Sequence, residues 1–254
     1  MNGFKQYFVD AEMAYNTSEK KLENFRYRRN LYGFCINEGG IDQQSINYAM
    51  EINKDICSTF MRQPKSLVGY KDNEEKYLPI DDLDSKHILQ LTFLMNNNTM
   101  TYNQIVEIGG GFGNMARLSK NIVPYTSWDI IDIPHMSELQ RYYLETEIKE
   151  VSNFRFLSAY SNNNYSNLPI DLVIGTHSLS EFALDDFLNY FNNVIKYSKY
   201  LYLGYQKYAP STELIQKKLD YLLKNGFVVE KNFDYTEKAG ASVSYTLFKN
   251  STLP

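Results

Sequence analysis

A chain of 254 residues can bury one substantial core, or one core with a small appendage. With 43% hydrophobic and 22% charged residues its composition is ordinary for a globular protein, and a formal net charge of -4 argues against nucleic acid as the main partner. The two cysteines, Cys35 and Cys57, show no metal-ligand spacing and read as small buried or half-buried thiols of a reducing compartment rather than a disulfide framework. No stretch approaches the ~18 consecutive apolar residues of a membrane span. The opening Met1-Asn2-Gly3-Phe4-Lys5, soon followed by Asp10 and Glu12, is not a secretory leader, so a cytoplasmic protein is expected. Arg26, Arg28 and Arg29 read as a solvated helix face.

Residues 1–98 read as an N-terminal helical cap and 99–254 as an α/β core. In the cap, segment 18–32 is charged and aromatic. Segment 42–62 spaces Ile46, Ala49, Met50, Ile56 and Phe60 as a helix does, and segment 84–95 does the same with Ile88, Leu91, Leu94 and Met95. Asp84 or Ser85 is the expected cap of the latter. Gln63 to Asp82, with Pro64 and Pro79, reads as a loop.

After Asn98 strands and helices alternate. Strands are expected at 105–108, 127–132, 153–158, 171–175 and 199–204. Helices are expected at 114–122, at 136–148, from Asp185 or Asp186 onward, and from Thr212 to Asn225-Gly226. The runs 227–233 and 242–248, joined by a short polar loop containing Gly240, leave no room for a helix and should pair as an antiparallel hairpin. Five helix-separated strands and a hairpin predict a seven-stranded sheet, parallel except at that edge.

The informative string is Glu107-Ile108-Gly109-Gly110-Gly111-Phe112-Gly113. A dinucleotide loop counted from Gly109 needs glycine where Asn114 stands, though the looser form ending in alanine fits Gly111, Gly113 and Ala116. No Gly-Lys-Ser/Thr follows, so it is not a P-loop. The pattern using every residue is acid-x-Gly-x-Gly-x-Gly, with the acid inside the strand. Glycines let the backbone turn sharply and let a ligand lie against it. Such a loop suits S-adenosylmethionine (SAM), which carries no phosphate, and Glu107 can meet the ammonium of its methionine moiety. Asp132 ends the next strand, where a carboxylate can accept both ribose hydroxyls at the carboxyl end of the sheet. Ile133 follows it, and Ser158, Ala159 and Tyr160, after the third strand, are the positional candidates for the adenine.

Three strings carry a resemblance: Ile105 to Gly113, Trp128 to Pro134, and Asp171-Leu172-Val173-Ile174-Gly175-Thr176-His177-Ser178-Leu179-Ser180-Glu181. Over residues 85–250 the sequence resembles the sugar O-methyltransferases, a branch of the class I SAM-dependent enzymes. The resemblance implies a Rossmann-like class I methyltransferase fold, with helices before the core covering the substrate side of the cofactor cleft. It implies SAM as cofactor, with Thr176 beside it, and a sugar hydroxyl as acceptor, in a nucleotide-activated sugar or a surface-glycan precursor. Gly175 departs from the family, where asparagine is common.

A sugar hydroxyl is a poor nucleophile, so a general base helps. His177, just past the fourth strand, is the candidate, with Glu181 to orient its imidazole. His87 reads as a surface or packing residue, and His135 as a capping-region residue that could also contact substrate or adenosine. Tyr205, Gln206 and Lys207, after the fifth strand, could line the acceptor pocket, with Lys207 facing a diphosphate. Asp129, Asp132, Glu181, Asp185 and Asp186 do not obviously converge, so no metal is expected. The alternatives are a methyltransferase for a small non-sugar metabolite and a non-catalytic SAM-binding partner subunit; a NAD oxidoreductase is disfavoured by Glu107 and Asn114. A homo-oligomer is compatible with the sequence.

Overall fold

The computed structural model describes residues 22, 25–27, 40–70, 80–96, 101–148, 150–161, 163, 165, 169–207, 212–236 and 240–253. The chain divides into two compact units. The first comprises Met1–Thr92, Gly111–Ile122 and Ile133–Ser152, the second Phe93–Gly110, Val123–Asp132 and Asn153–Pro254.

The second unit holds the sheet. Its strands are β1 (Tyr102–Ile108), β2 (Tyr125–Asp132), β3 (Phe154–Ser158), β4 (Ile170–Thr176), β5 (Ser198–Lys207), β6 (Phe227–Thr236) and β7 (Ser242–Asn250). They lie in the order β3-β2-β1-β4-β5-β7-β6. β1 pairs in parallel with β2 and β4, β2 with β3 and β4 with β5, whereas β7 runs antiparallel to β5 and β6. This is the expected seven-stranded sheet with a terminal hairpin, the Rossmann-like fold of class I methyltransferases. Chain order reverses direction between β1 and β4, so their carboxyl ends form the switch point where open α/β sheets bind ligands.

Burial explains the central strands. β4 is buried along Ile170–Gly175 and β1 from Gln104 to Ile108, as strands covered on both faces must be. On one face Val106, Val173, Leu201 and Leu203 pack against Leu179 of the short helix α5 (Ser178–Glu181), Phe187 and Phe191 of α6 (Leu184–Asn193), and Ile215 and Leu222 of α7 (Thr212–Lys224). Asp185 and Asp186 lie within the first turn of α6 rather than capping it, and Ala183 occupies the cap. After α7, Gly226 has φ +86° and turns the chain in the left-handed conformation expected of it. Within β2, Asp129 is fully buried and accepts hydrogen bonds from Gln104 Nε2 (2.9 Å), Tyr165 Oη (2.7 Å) and Arg155 Nε (2.6 Å). It is a structural anion, already satisfied by protein.

The described residues of the first unit form the helices α1 (Gln43–Met61), α2 (Asp82–Met95, whose last turn belongs to the second unit), α3 (Asn114–Ser119) and α4 (Pro134–Glu147). In α1, Asp42 caps the start and Asn53, at φ -161°, breaks the helix. The Asn53 side chain then accepts from Ile56 N at 3.1 Å and caps the second half. The cap of α2 is Asp81, not Asp84 or Ser85. Asp84 N donates to Asp81 Oδ1 at 2.7 Å, and Asp81 N donates back to Asp84 Oδ2 at 3.4 Å, a reciprocal box. Arg26 is 2% exposed, so it is not part of a solvated face; Arg28, Arg29 and Cys35 lie outside the described residues.

The helix-packed face of the sheet depends on Phe187, which is fully buried. Phe187→Ala should lower the unfolding free energy by about 3–5 kcal/mol in urea denaturation, and Phe187→Leu by clearly less. Equal losses for the two variants would mean that the site does not discriminate volume.

Candidate functional site

The carboxyl end of β1 places a charge where a sheet ordinarily holds none. Glu107 points to the face opposite Val106 and Ile108, is 4% exposed, and accepts a hydrogen bond from Trp128 Nε1 at 2.9 Å. Among the described residues no second donor reaches this carboxylate. Burial pushes its pKa up to about 7; the Trp128 bond opposes the shift and the charge of Asp132 adds to it.

The glycines beside it are required by contact. Gly109 has φ +73°, and a Cβ there would lie 2.5 Å from Ser178 Cβ. A Cβ on Gly110 would lie 2.7 Å from Ile130 Cγ2 and 3.2 Å from Glu107 Cδ, so the backbone rests directly over the carboxylate. Ser178 Oγ donates to Ile108 O, which fastens the start of α5 to the end of β1. Asp132, half-buried, ends β2, and its carbonyl accepts from Ala159 N at 2.7 Å. Tyr160 follows, 66% exposed. The second unit thus brings Glu107, Gly109, Gly110, Asp132, Ala159, Tyr160 and Thr176 to strand ends on one edge of the sheet.

The first unit holds the rest of the loop. Gly111 has φ +56° and its carbonyl accepts from Gln140 Nε2 at 2.8 Å. Gly113 has φ +92° and serves as the cap residue of α3. Ile133 precedes α4 in extended conformation, and its carbonyl accepts from Met136 N and Ser137 N, each at 3.0 Å. His135 is 3% exposed within α4. Sequence reasoning missed Trp128 and Gln140 as supports. An indole or an amide at those positions has no spacing signature.

At the end of β4, His177 takes φ +67° and ψ -37°, and is the one non-glycine residue of positive φ among the described residues. Such strain persists only where the surroundings over-determine it. Here His177 N donates to Gly204 O at 2.8 Å, and its carbonyl accepts from Ser180 Oγ at 2.6 Å and Glu181 N at 3.3 Å. Its ring meets Tyr245 edge-on at 6.0 Å. Glu181 is exposed, yet its crowded surroundings raise the carboxyl to about 7 against the pull of Lys218. Lys218, 1% exposed, donates to the carbonyls of Leu179 (3.0 Å), Ser180 (2.8 Å) and Phe182 (2.5 Å), closing the far end of α5. Gly175 also has a local cause. A Cβ there would lie 2.3 Å from Leu179 Cδ1, so the bare backbone leaves space for Leu179 to pack against β4.

The acceptor candidates separate. Alternation along β5 sends Tyr205 to the helix-packed core with Leu201 and Leu203, whereas Gln206 is half-buried on the other face. Lys207 is exposed and pairs with Asp234 at 2.9 Å. Among the described residues no helix is long and apolar enough to cross a membrane, and no group of three or more His, Cys, Asp or Glu could hold a metal ion.

No family model matches the sequence, and no curated protein is significantly similar to it. Solved structures do share the fold. A Pyrococcus horikoshii protein described as an RNA methyltransferase superposes with a TM-score of 0.51 at 13% identity, over 79% of this chain and 99% of that one. Weaker likenesses are to the precorrin-6y C5,15-methyltransferase of Geobacter metallireducens (0.48, 16% identity, 74% and 100% covered) and to M. capricolum TrmK with S-adenosylhomocysteine (0.44, 12%, 58% and 62%).

The raised Glu107 carboxyl has a measurable cost. Between the ordinary value of 4.5 and the folded value of about 7 the native state holds the extra proton, so stability falls as pH rises through that window. Glu107→Gln should therefore raise stability at pH 8 by on the order of 3 kcal/mol and flatten the profile between pH 5 and 7. Parallel profiles for the two proteins would refute the shift.

Proposed function

We propose that this chain is a SAM-dependent O-methyltransferase that acts on a sugar hydroxyl, in a nucleotide-activated sugar or a surface-glycan precursor. The observation that carries the cofactor is the buried carboxylate of Glu107 beneath Gly110, which among the described residues accepts one hydrogen bond. A buried carboxylate with unused acceptor capacity suits a cationic ligand, because an ammonium would restore the charge that burial disfavours. The residues present fit that group. Gly109 and Gly110 lack side chains that would fill the approach, and Asp132, at the end of β2, offers acceptors to a ribose.

When bound, SAM supplies the methyl group and its own sulfonium leaving group. The protein's share is to align the acceptor, exclude water and take a proton. His177 is the residue for that last task. Its backbone is pinned at Gly204 and Ser180, and as a neutral imidazole its ring could receive the hydroxyl proton. Glu181, four residues on, would orient the imidazole, and Lys218 holds the segment between them. The sugar acceptor is supported by the similarity of Thr176 to Glu181 to the sugar O-methyltransferases, and Gln206 is the lining residue the β5 alternation favours.

S-adenosylhomocysteine at a hundred times its dissociation constant should stabilise the protein by about 2.7 kcal/mol. Absence of binding in calorimetry would end the SAM reading. A panel of nucleotide-sugars tested for uptake of labelled methyl should yield at least one acceptor, whereas labelling confined to non-sugar metabolites would reassign the substrate. With an acceptor in hand, His177→Gln should slow transfer by roughly 10²–10⁴-fold while product-cofactor affinity stays nearly constant. Unchanged turnover would remove His177 as the base.

A further inference from the structure

The glycine loop contains one bulky residue, Phe112, and the first unit is built around it. Phe112 is 1% exposed. Its ring lies 4.8 Å from that of Tyr143 on α4, edge-on, and 5.2 Å from that of Phe25. The Arg26 guanidinium stands 4.7 Å from the centre of the Phe112 ring and 4.4 Å from that of Tyr70, a cation between two aromatic faces.

Arg26 is itself fixed from several directions. Its Nη1 pairs with Asp81 Oδ2 at 3.0 Å, its Nε donates to Val68 O at 3.0 Å, and its backbone N donates to Gly69 O at 3.3 Å. Tyr70 Oη donates to the same Asp81 oxygen at 2.8 Å. Phe25 lies so close to Gly69 that a Cβ there would be 2.2 Å from Phe25 Cε1. Immediately after the loop, Asn114 is 1% exposed and joins the same unit. Its Nδ2 donates to Asp84 Oδ1 at 2.9 Å, and its Oδ1 accepts from Arg117 Nε and Tyr143 Oη, both at 3.0 Å. The residue that breaks the dinucleotide spacing is therefore an anchor.

We propose that Arg26 and Phe112 are positioning residues for the cofactor, a clamp that holds Gly111 to Gly113 in the ligand-ready conformation. This rests on the SAM reading above. The three positive-φ glycines of the loop favour a mobile backbone, since glycine loses the most conformational freedom on ordering. A buried aromatic plug seized by a fixed cation supplies the order that the glycines lack. Phe25 and Arg26 then belong to the cofactor-binding apparatus by holding the loop rather than by contacting the cofactor. Reciprocity follows: what orders the loop strengthens binding, and binding must tighten the hold on Phe25 and Arg26.

The test uses the full chain and S-adenosylhomocysteine. Arg26→Lys keeps the charge and loses the planar stacking and the paired donors; Phe112→Leu keeps most of the buried volume and loses the ring. Both should remain folded by circular dichroism and weaken binding by roughly tenfold or more in calorimetry. Amide exchange should rise at 111–113 in both variants. In the wild-type protein, the ligand should slow exchange at 25–27. Wild-type affinity in both folded variants, or ligand protection that never reaches 25–27, would overturn the clamp. No binding by the wild-type protein would instead overturn the SAM reading on which it rests. If either variant is unfolded, the other decides; if both are, the residues hold the fold and the clamp is refuted.

Discussion

A carboxylate inside a parallel sheet is the constraint from which the rest of this molecule can be understood. Glu107 stands where its neighbours in β1 are apolar, and among the described residues a single indole N–H, that of Trp128, answers it. One hydrogen bond does not offset the removal of a charge from water, and the raised pKa records the deficit. Trp128 must be held to make even that bond. It is fully buried in β2 and packed edge-on against Tyr125 at 5.1 Å. The backbone that passes over the acid must be bare, which accounts for Gly110. The proposed cofactor would complete this arrangement, because an ammonium beside the carboxylate would favour its ionised form.

The neighbouring strand end is strained in a related way. His177 occupies a conformation that glycine would take more easily, and the cost is met by a ring of backbone partners and by Lys218. The two loops are also joined. Ser178 bonds the carbonyl of Ile108 and fills the space where Gly109 would carry a side chain, so the loop after β4 and the loop after β1 share one contact. A displacement of either is therefore felt at the other. This gives a physical route by which occupancy beside Glu107 could set the imidazole of His177.

Much of this was legible in the chain itself. The apolar runs of β1, β2 and β4 and the helix-free interval between β6 and β7 announce their pairing, because doubly covered strands have little freedom of composition. The glycines were legible because positive φ and the close approach of their backbone to Ser178 and Glu107 restrict residue type. Other features rest on tertiary contact. Trp128 and Gln140 act through distances of 21 and 29 residues along the chain, which no local spacing encodes. Asp81 and Asp84 are both plausible caps by type, and the reciprocal box uses both. The inward turn of Tyr205 was in principle readable, since Leu201, Leu203 and Tyr205 alternate; the strand simply runs three residues further than its apolar run suggests, to Lys207 rather than Gly204. The proposed acceptor would leave the faintest mark, because a hydroxyl asks only for a base and a shaped wall.

The most direct measurement is the titration of Glu107 followed by carbon NMR of its labelled carboxyl, without ligand and with saturating S-adenosylhomocysteine. The free protein should titrate at about 7. With the ligand's ammonium beside the carboxylate, its pKa should fall well toward the ordinary range, because an adjacent positive charge favours the ionised form. A titration that stays at its free value under saturating ligand would contradict the assignment of Glu107 as the cofactor's counter-charge.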